Sequence, residues 1–465
     1  MKKINLGQKE IIHFIGIGGI GMSGLAQIMK NMGFRIQGSD QIKNKNTSSC
    51  SKAGIRIFVG HSKKNVRSAT ILVKSSAIKD SNIEIRYGRK KKIPIYNRAD
   101  VLADVVSLKK NIIVTGSHGK TTTTSLISKI LSDQKLDPTI INGGVINSLK
   151  SNAKFGKGEW AILEADESDG SFLKLPINYS IVTNLDYEHI DYYRNFKNLE
   201  KSFIRFIEKT PPTGKSIICI DDKKIQKIFK KIMNKNILTY GESKFANYKI
   251  SNIRYKVDYT FFDISYKNIE RKNKKIKNIQ LKLLGKHNVF NATAAIAICL
   301  NLGVNQNIIK KSLRKFSGVQ RRMTKIFYKG KNDFYDDYAH HPTEIRSILD
   351  GVKNVNANRN IISVFEPHRY SRVLSLQKEF AQSFRKSNLV LLCPIYSAGE
   401  KKNSKFDNIK FGNLISKLSK TKVILIKNHY ELARFLKKNL IKDEIIIGMG
   451  AGLISKWMGD LKNFI

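Results

Sequence analysis

Twice in this chain a short apolar run breaks into glycines and then resumes with helical spacing. The first break is "IIHFIGIGGIGMSGLA", residues 11 to 26, and the second is "NIIVTGSHGKTTTT", residues 111 to 124. Strand, tight glycine turn and helix in that order build a parallel sheet with crossover helices on its faces. The rhythm continues between the two breaks. "FRIQGSD", "IRIFVG" and "ATILVKSS" repeat the strand signal, and Leu25, Ile28 and Met29 line one face of the first helix. The polar stretch "SLKKN" closes this first region.

Later segments predict further strands at "EWAILEAD" and "YSIVTNLD", and "IRYKVDYTFFDISY" alternates with the two-residue period of antiparallel strands. "GKHNVFNATAAIAICLNLG" predicts an alanine-rich helix closed by Gly303. Beyond Gln320, "NDFYDDYA", "NIISVFEP", "NLVLLCPIY", "KVILI" and "DEIIIGMGAG" read as strands of a third sheet. At 465 residues the chain exceeds one ordinary core. Three α/β domains are expected, over residues 1–107, 108–319 and 320–465.

Composition excludes more than it selects. The formal net charge is +47, but lysine is spread along the whole chain, with no aromatic-interleaved basic repeat, so no specific nucleic-acid function is expected. Cys50, Cys219, Cys299 and Cys393 are far apart, which fits a reducing cytoplasm and neither a zinc ribbon nor a disulfide framework. The apolar stretch from Ile11 to Met29 is rich in glycine and contains His13, Ser23 and Gln27, so no membrane anchor is expected.

In the first loop, Gly16, Gly18, Gly19 and Gly21 let backbone amides at a helix N-terminus approach a diphosphate. Asp40 sits where a ribose-binding carboxylate would lie. The pattern reports a nucleotide diphosphate, either a dinucleotide or a UDP-sugar. An NAD-dependent oxidoreductase would explain residues 13 to 40 and nothing after residue 110.

The second loop is a compact phosphate loop: Gly116, Ser117, His118 and Gly119 precede Lys120, Thr121 and Thr122. The lysine supplies a cation for the β and γ phosphates of ATP, and the Thr121 hydroxyl suits Mg²⁺. "SLISKIL" is expected to continue as an amphipathic helix. Metal-holding acids are expected from "EADESD" (Glu164, Asp166, Glu167, Asp169) and "DYEHID" (Asp186, Glu188, Asp191). Glu164 and His189 stand out, and most of the others are expected to be solvated loop residues.

Taken together, "GIGGIGMSGLA", "GSHGKTTTT", "EADESD", "GKHNVFNA", "GVQRRM", "DDYAHHPTE", "EPHRYSR", "YSAGE" and "GMGAG" closely resemble the Mur ligases, the ATP-dependent amide-forming enzymes of peptidoglycan synthesis. Within that family the motifs fit the alanine-adding branch better than the branch that recycles murein peptides. Folylpolyglutamate synthetases share the ATP loop but would not need the N-terminal glycine-rich domain. The resemblance implies a Rossmann-like N-terminal UDP-binding domain, a central P-loop-type ATPase domain with a mixed sheet, and a Rossmann-like C-terminal domain that presents the amino acid.

It further implies that UDP-N-acetylmuramate and L-alanine are the substrates, with ATP and two Mg²⁺ ions. Carried over by position, Gly116 to Thr122, His287, Asn288, Asn291 and Arg322 belong to the ATP site, and Thr121, Glu164 and His189 to the metal. Tyr338, His340, His368, Arg369 and Arg372 surround the alanine and the reacting carboxylate, with Lys120, His340 and Arg369 as the catalytic set. Two positions depart from the family's common pattern: Ser117, where Thr is frequent, and Met323, where Phe is.

Overall fold

The computed structural model describes residues 10–234, 236–256, 258–268, 270–441 and 443–465, leaving out the side chains of 190 and 191. It divides into two compact units. One takes in residues up to 252, 262–280 and 290–317; the other takes in 253–261, 281–289 and 318–465.

The first unit opens with five parallel strands, β1 Ile11–Ile15, β2 Arg35–Asp40, β3 Arg56–Val59, β4 Ile71–Lys74 and β5 Ile95–Asn97, in the order β3-β2-β1-β4-β5. The order reverses at β1, and at such a switch point loops at the carboxyl ends of strands diverge to leave a crevice. The helix Ile20–Asn31 follows β1, and its Leu25, Ile28 and Met29 are all buried, as their spacing predicts.

A ten-stranded sheet follows, built mainly within this unit. Its strands are β6 Lys110–Thr115, β7 Thr139–Ile146, β8 Ser151–Lys154, β9 Trp160–Glu164, β10 Tyr179–Val182, β11 Lys215–Cys219, β12 Ile237–Gly241, β13 Tyr248–Tyr255, β14 Thr260–Lys267 and β15 Asn273–Leu281. Their order is β15-β14-β13-β12-β11-β10-β6-β9-β7-β8, with β7 and β8 antiparallel in an otherwise parallel centre. The helix Lys120–Asp133 is not amphipathic as expected: every residue from Thr121 to Ser128 is buried, as are Ile130 and Leu131. It is covered by strands on one side and by the helix Gln306–Arg314 on the other, where Ser312 donates to Asp133 at 2.6 Å. One apolar core joins the two sheets, running from Leu25 and Val101 through Ile113 and Leu163 to Phe172, Phe203 and Phe206.

The second unit is built on β16 Thr324–Lys329, β17 Asn332–Asp337, β18 Asn360–Phe365, β19 Leu389–Leu392, β20 Lys422–Leu425 and β21 Glu444–Met449, ordered β16-β17-β21-β18-β19-β20. All neighbours are parallel except the β16–β17 hairpin. Apolar clusters cover both faces, as a parallel sheet requires. Among the described residues no helix is long and apolar enough to cross a membrane.

A buried polar network underlies the first glycine loop. Glu84 is fully buried and accepts from Ser39 Oγ at 2.6 Å and Asn65 Nδ2 at 2.7 Å, with His61 Nδ1 at 3.1 Å and His13 Nε2 at 3.6 Å. The Ser39 carbonyl in turn accepts the amides of Gly16 and Ile17. Burial alone would push the Glu84 carboxyl up, but hydrogen bonds from His13, Ser39 and Asn65 outweigh it and hold the group down at about 2. An unfolded glutamate titrates near ~4.3. The network's stabilisation is therefore complete above about pH 5 and drains as pH falls from about 4 toward 2. Glu84→Gln is expected to cost on the order of 3 kcal/mol at neutral pH. Urea unfolding should show the gap between the two proteins closing below about pH 4; a gap that does not vary with pH would refute the charged role.

Candidate functional site

The first loop closes on its own acid. Gly18 N–H donates to Asp40 Oδ2 at 2.7 Å, while Asn46 and Asn44 donate to the Gly18 carbonyl at 2.8 and 3.3 Å. A Cβ on Gly18 would lie 2.6 Å from Asn44 Nδ2 and 2.7 Å from Asp40 Oδ2, so a larger residue would have to push this clasp aside. Gly16 takes a φ of 80°, and Gly19 caps the following helix with no side-chain hydrogen bond, leaving that helix end to backbone amides. Gly21 lies against the Arg98 guanidinium, with a Cβ there 3.3 Å from Nη1. Asp40 thus sits at the loop, as expected, and also holds it.

In the second loop Gly116 and Gly119 have φ of 127° and 83°. A Cβ at Gly119 would fall 2.3 Å from Asn291 Oδ1, which brings Asn291 to the loop. Asn184 grips the turn by accepting from the His118 amide at 2.8 Å and donating to its carbonyl at 2.9 Å. The Ser117 hydroxyl accepts from the Asp186 amide at 2.7 Å, and the His118 ring lies 3.2 Å from Asp186 Oδ2. Thr122 is buried in the first turn of the helix.

The Lys120 ammonium donates to the carbonyls of Gly116 and Ser117, at 2.6 and 3.2 Å, and to both oxygens of Glu167, at 3.1 and 2.9 Å. Burial works against its charge, but Glu167, Asp166 and Glu164 more than offset that, so its proton is held more tightly than usual. Glu167 feels burial first, with Asp166 and Glu188 adding to it and Lys120 opposing, and is pushed up to about 7.

Two oxygen-rich groups flank this lysine. Thr121 Oγ1 donates to Glu164 Oε1 at 3.0 Å, and the Gly143 amide to Glu164 Oε2 at 2.6 Å. Separately, one donor atom each from Asp166, Glu167 and His189 lies within 4.8 Å of the others. His189 takes a φ of 56°, and its Nε2 is 3.6 Å from Glu167. Of the expected metal set, Thr121 and Glu164 are hydrogen-bonded to each other, and His189 lies with Asp166 and Glu167. Carboxylate and hydroxyl oxygens suit Mg²⁺, and a buried acid pushed toward neutrality is one that a nearby cation would stabilise.

Two of the remaining acids depart from the expectation of solvated loop residues. Glu167 and Glu188 are buried, and Asp186 and Asp169 are half-buried, leaving Asp166 as the exposed one among the described acids. The Asp191 side chain lies outside the described residues. The acids are drawn inward because Lys120, Lys224 and the loop amides need anionic partners there; Lys224 pairs with Asp186 at 2.5 Å. Glu167 is the principal residue that sequence reasoning undervalued, although it lies in a quoted motif.

The second unit gathers the other expected residues. Tyr338 and His340 meet edge-on at 5.2 Å, His340 and His368 at 5.6 Å, and His368 stacks on Tyr396 at 5.5 Å. His340 Nδ1 lies 2.9 Å from the Tyr338 carbonyl, so Nδ1 carries the proton in the neutral ring and Nε2 the lone pair. Arg372 Nη1 lies 3.2 Å from His368 Nδ1, which fixes the opposite tautomer in His368. Arg369 has a φ of 68°, and its Nε donates to Glu400 at 2.8 Å. Arg322 lies over the Tyr338 ring and 3.6 Å from Glu344, which also accepts the His340 amide. Burial, then Arg322, push His287 down to about 4. Asn288 donates to the Leu284 carbonyl. Glu344 and Glu400, the anions that orient these arginines and His340, were not anticipated.

These observations meet three matches along the chain. Residues 11–110 match the Mur ligase family catalytic domain, 114–299 the Mur ligase middle domain and 321–452 the Mur ligase glutamate ligase domain. The chain belongs to the Mur ligase family. It is 53% identical over 463 residues to a UDP-N-acetylmuramate–L-alanine ligase of Pelagibacter ubique, covering 100% of both chains. It is 40% identical to the enzyme of that name from Agrobacterium fabrum, covering 97% of this chain and 96% of the other. The crystal structure of the Thermotoga maritima UDP-N-acetylmuramate–alanine ligase superposes with a TM-score of 0.83 at 28% identity, covering 98% of each chain. The fold of this Mur ligase is thus the three-domain α/β fold of the family. A murein peptide ligase from Psychrobacter arcticus, at 22% identity and a TM-score of 0.71, shares that fold over 97% of this chain and 99% of the other.

Burial, with His340, Arg372 and Arg369 around it, pushes His368 down to about 3. Its ring should therefore show no protonation step between pH 5 and 8 in a histidine NMR titration. A midpoint near the ordinary ~6.5 would remove it from this cationic cluster.

Proposed function

We propose that this Mur ligase joins L-alanine to the lactyl carboxylate of UDP-N-acetylmuramate at the expense of ATP, in the cytoplasm. The whole-length 53% identity to a ligase of that name carries the reading, and the geometry of both glycine loops supports it. Boundaries near residues 107 and 319 would separate the sugar-nucleotide, ATP and amino-acid domains.

A carboxylate does not accept an amine in neutral water, because its oxygen leaves poorly. Transfer of the γ-phosphate to the lactyl oxygen forms an acyl phosphate. The alanine amine then adds to the acyl carbon, and the resulting tetrahedral intermediate expels inorganic phosphate. Phosphoryl transfer is mainly positioning and charge neutralisation. In this reading the Lys120 ammonium and the backbone amides that open the helix Lys120–Asp133 would cradle the β and γ phosphates. Gly16, Gly18, Gly19 and Gly21 would admit the UDP diphosphate, with Asp40 toward the ribose. Asn291 would complete the ATP site on the loop's own unit, and the family resemblance alone assigns His287, Asn288 and Arg322 to ATP as well.

Thr121 and Glu164 would hold one Mg²⁺, and His189 with Asp166 and Glu167 a second. Such ions supply positive charge that offsets the phosphates and the developing negative charge. His340, with its Nε2 lone pair set by the Tyr338 carbonyl, would take a proton from the attacking amine. Arg369 and Arg372 bring two guanidinium groups to one helix turn, where a carboxylate can be met bidentately. Glu400 holds the Arg369 plane from its Nε side. Tyr338 and His368 would flank the alanine.

ADP and phosphate release should require both UDP-N-acetylmuramate and L-alanine. Equal or faster release with a murein tripeptide in place of alanine would favour the recycling reaction, and none with either would overturn the ligase reading. Lys120→Ala should lower turnover by at least ~10²–10³, the cost of removing one preorganised group; near-normal turnover would displace Lys120 from the ATP site. Arg369→Lys should raise the apparent KM for alanine by roughly 10-fold or more, because a charge-assisted bidentate contact becomes a point charge. A defect seen only in the KM for ATP would contradict that placement.

A further inference from the structure

One hairpin in the first unit touches both nucleotide loops. The β7–β8 pairing shifts register between Ile141 and Ile146, at "NGGV", so residues 142–145 bulge out of the ladder. From the bulge, the Gly143 amide holds Glu164, and a Cβ on Gly143 would fall 2.5 Å from that carboxylate. Asn142 Nδ2 donates to Ser125 Oγ at 2.9 Å, and Ser125 donates to the Thr121 carbonyl at 2.7 Å. One end of the hairpin is therefore bonded to the phosphate-loop helix and to the carboxylate that Thr121 also contacts.

The other end reaches the first loop. Asn152 Nδ2 donates to the carbonyl of Ile20 at 2.9 Å and to that of Asn142 at 3.4 Å. Ile20 is the first residue of the helix Ile20–Asn31, immediately after the glycine loop. Gly24 allows this approach, since a Cβ there would lie 2.9 Å from Asn152 Nδ2 and 3.0 Å from Ala153 Cβ. Asn152, Asn142 and Ser125 are all buried, where an unmade hydrogen bond costs most. A displacement of the first helical turn therefore cannot leave Asn142 and Gly143 untouched without stranding a buried amide.

We infer that Asn152, acting through the Asn142–Gly143 bulge, is a positioning residue that couples sugar-nucleotide binding at the first loop to nucleotide binding at the second. The inference rests on the functional reading above for the identity of the two ligands. It predicts a reciprocal change in their affinities, because coupling between two sites acts equally in both directions.

The test is calorimetric titration of ADP with Mg²⁺, with and without saturating UDP-N-acetylmuramate. The unmodified protein should show a ratio of ADP affinities of roughly 5-fold or more. In Asn152→Ala the ratio should fall to within about twofold of unity, while each ligand alone still binds. Ser125→Ala severs the opposite end and should act the same way, so the test survives if Asn152→Ala does not fold. Asn147, on the same hairpin but bonded to the Ser317 carbonyl, lies outside the relay, and Asn147→Ala should keep the original ratio. Equal loss in Asn147→Ala, or an unchanged ratio in both relay variants, would overturn the inference. Binding of both ligands to the unmodified protein with no mutual effect would overturn the relay alone. Failure of either ligand to bind would sink the functional reading and the relay with it.

Discussion

The ammonium of Lys120 is the charge around which the first unit is arranged. Removing it from water is costly, and the cost is met by two loop carbonyls and both oxygens of Glu167. Those bonds set the curvature of the loop between Gly116 and Gly119. They also draw the "EADESD" segment beneath it, which places Glu164 beside Thr121 and Asp166 and Glu167 beside His189. A loop held this way is fixed in one conformation, through its lysine on one side and through Asn184 on the other.

The second unit solves a different problem with the opposite device. Burial and neighbouring arginines push His368 and His287 down. His368 sits against Arg372 and near Arg369, and His287 near Arg322. The arginines keep their orientation because Glu400 and Glu344 stand behind them. Charge is concentrated around Lys120 in one unit and balanced between arginines and glutamates in the other. The buried Glu84 network serves the first loop as a rigid floor, passing its hold through the Ser39 carbonyl to the Gly16 and Ile17 amides.

How much of this was legible follows from how local each signal is. Glycine turns, the Gly-Lys-Thr ending and the strand alternation depend on neighbours in the chain, and they read correctly. The strand Thr139–Ile146 was missed because two glycines interrupt its apolar run, and those glycines form the bulge that meets Glu164. The helix Lys120–Asp133 looked amphipathic because its threonines and serines are polar. They are buried all the same, with Ser125 and Ser128 returning hydrogen bonds to their own helix at Thr121 and Thr124. Glu167 and Glu188 looked like solvated loop acids, because nothing within ten residues says that Lys120, from a distant helix N-terminus, will pair with Glu167 or that folding will bury Glu188.

By itself the sequence determined the βα rhythm, the two phosphate-type loops and the ordered motifs that assign the chain to its family. These follow from backbone sterics and side-chain chemistry over a few adjacent residues. Tertiary structure alone decided which acids are buried, which tautomers His340 and His368 adopt, and that Asn152 reaches Ile20 from a hairpin more than a hundred residues away. Each of those outcomes depends on desolvation and on partners brought together by folding, and neither quantity exists until the chain has closed on itself.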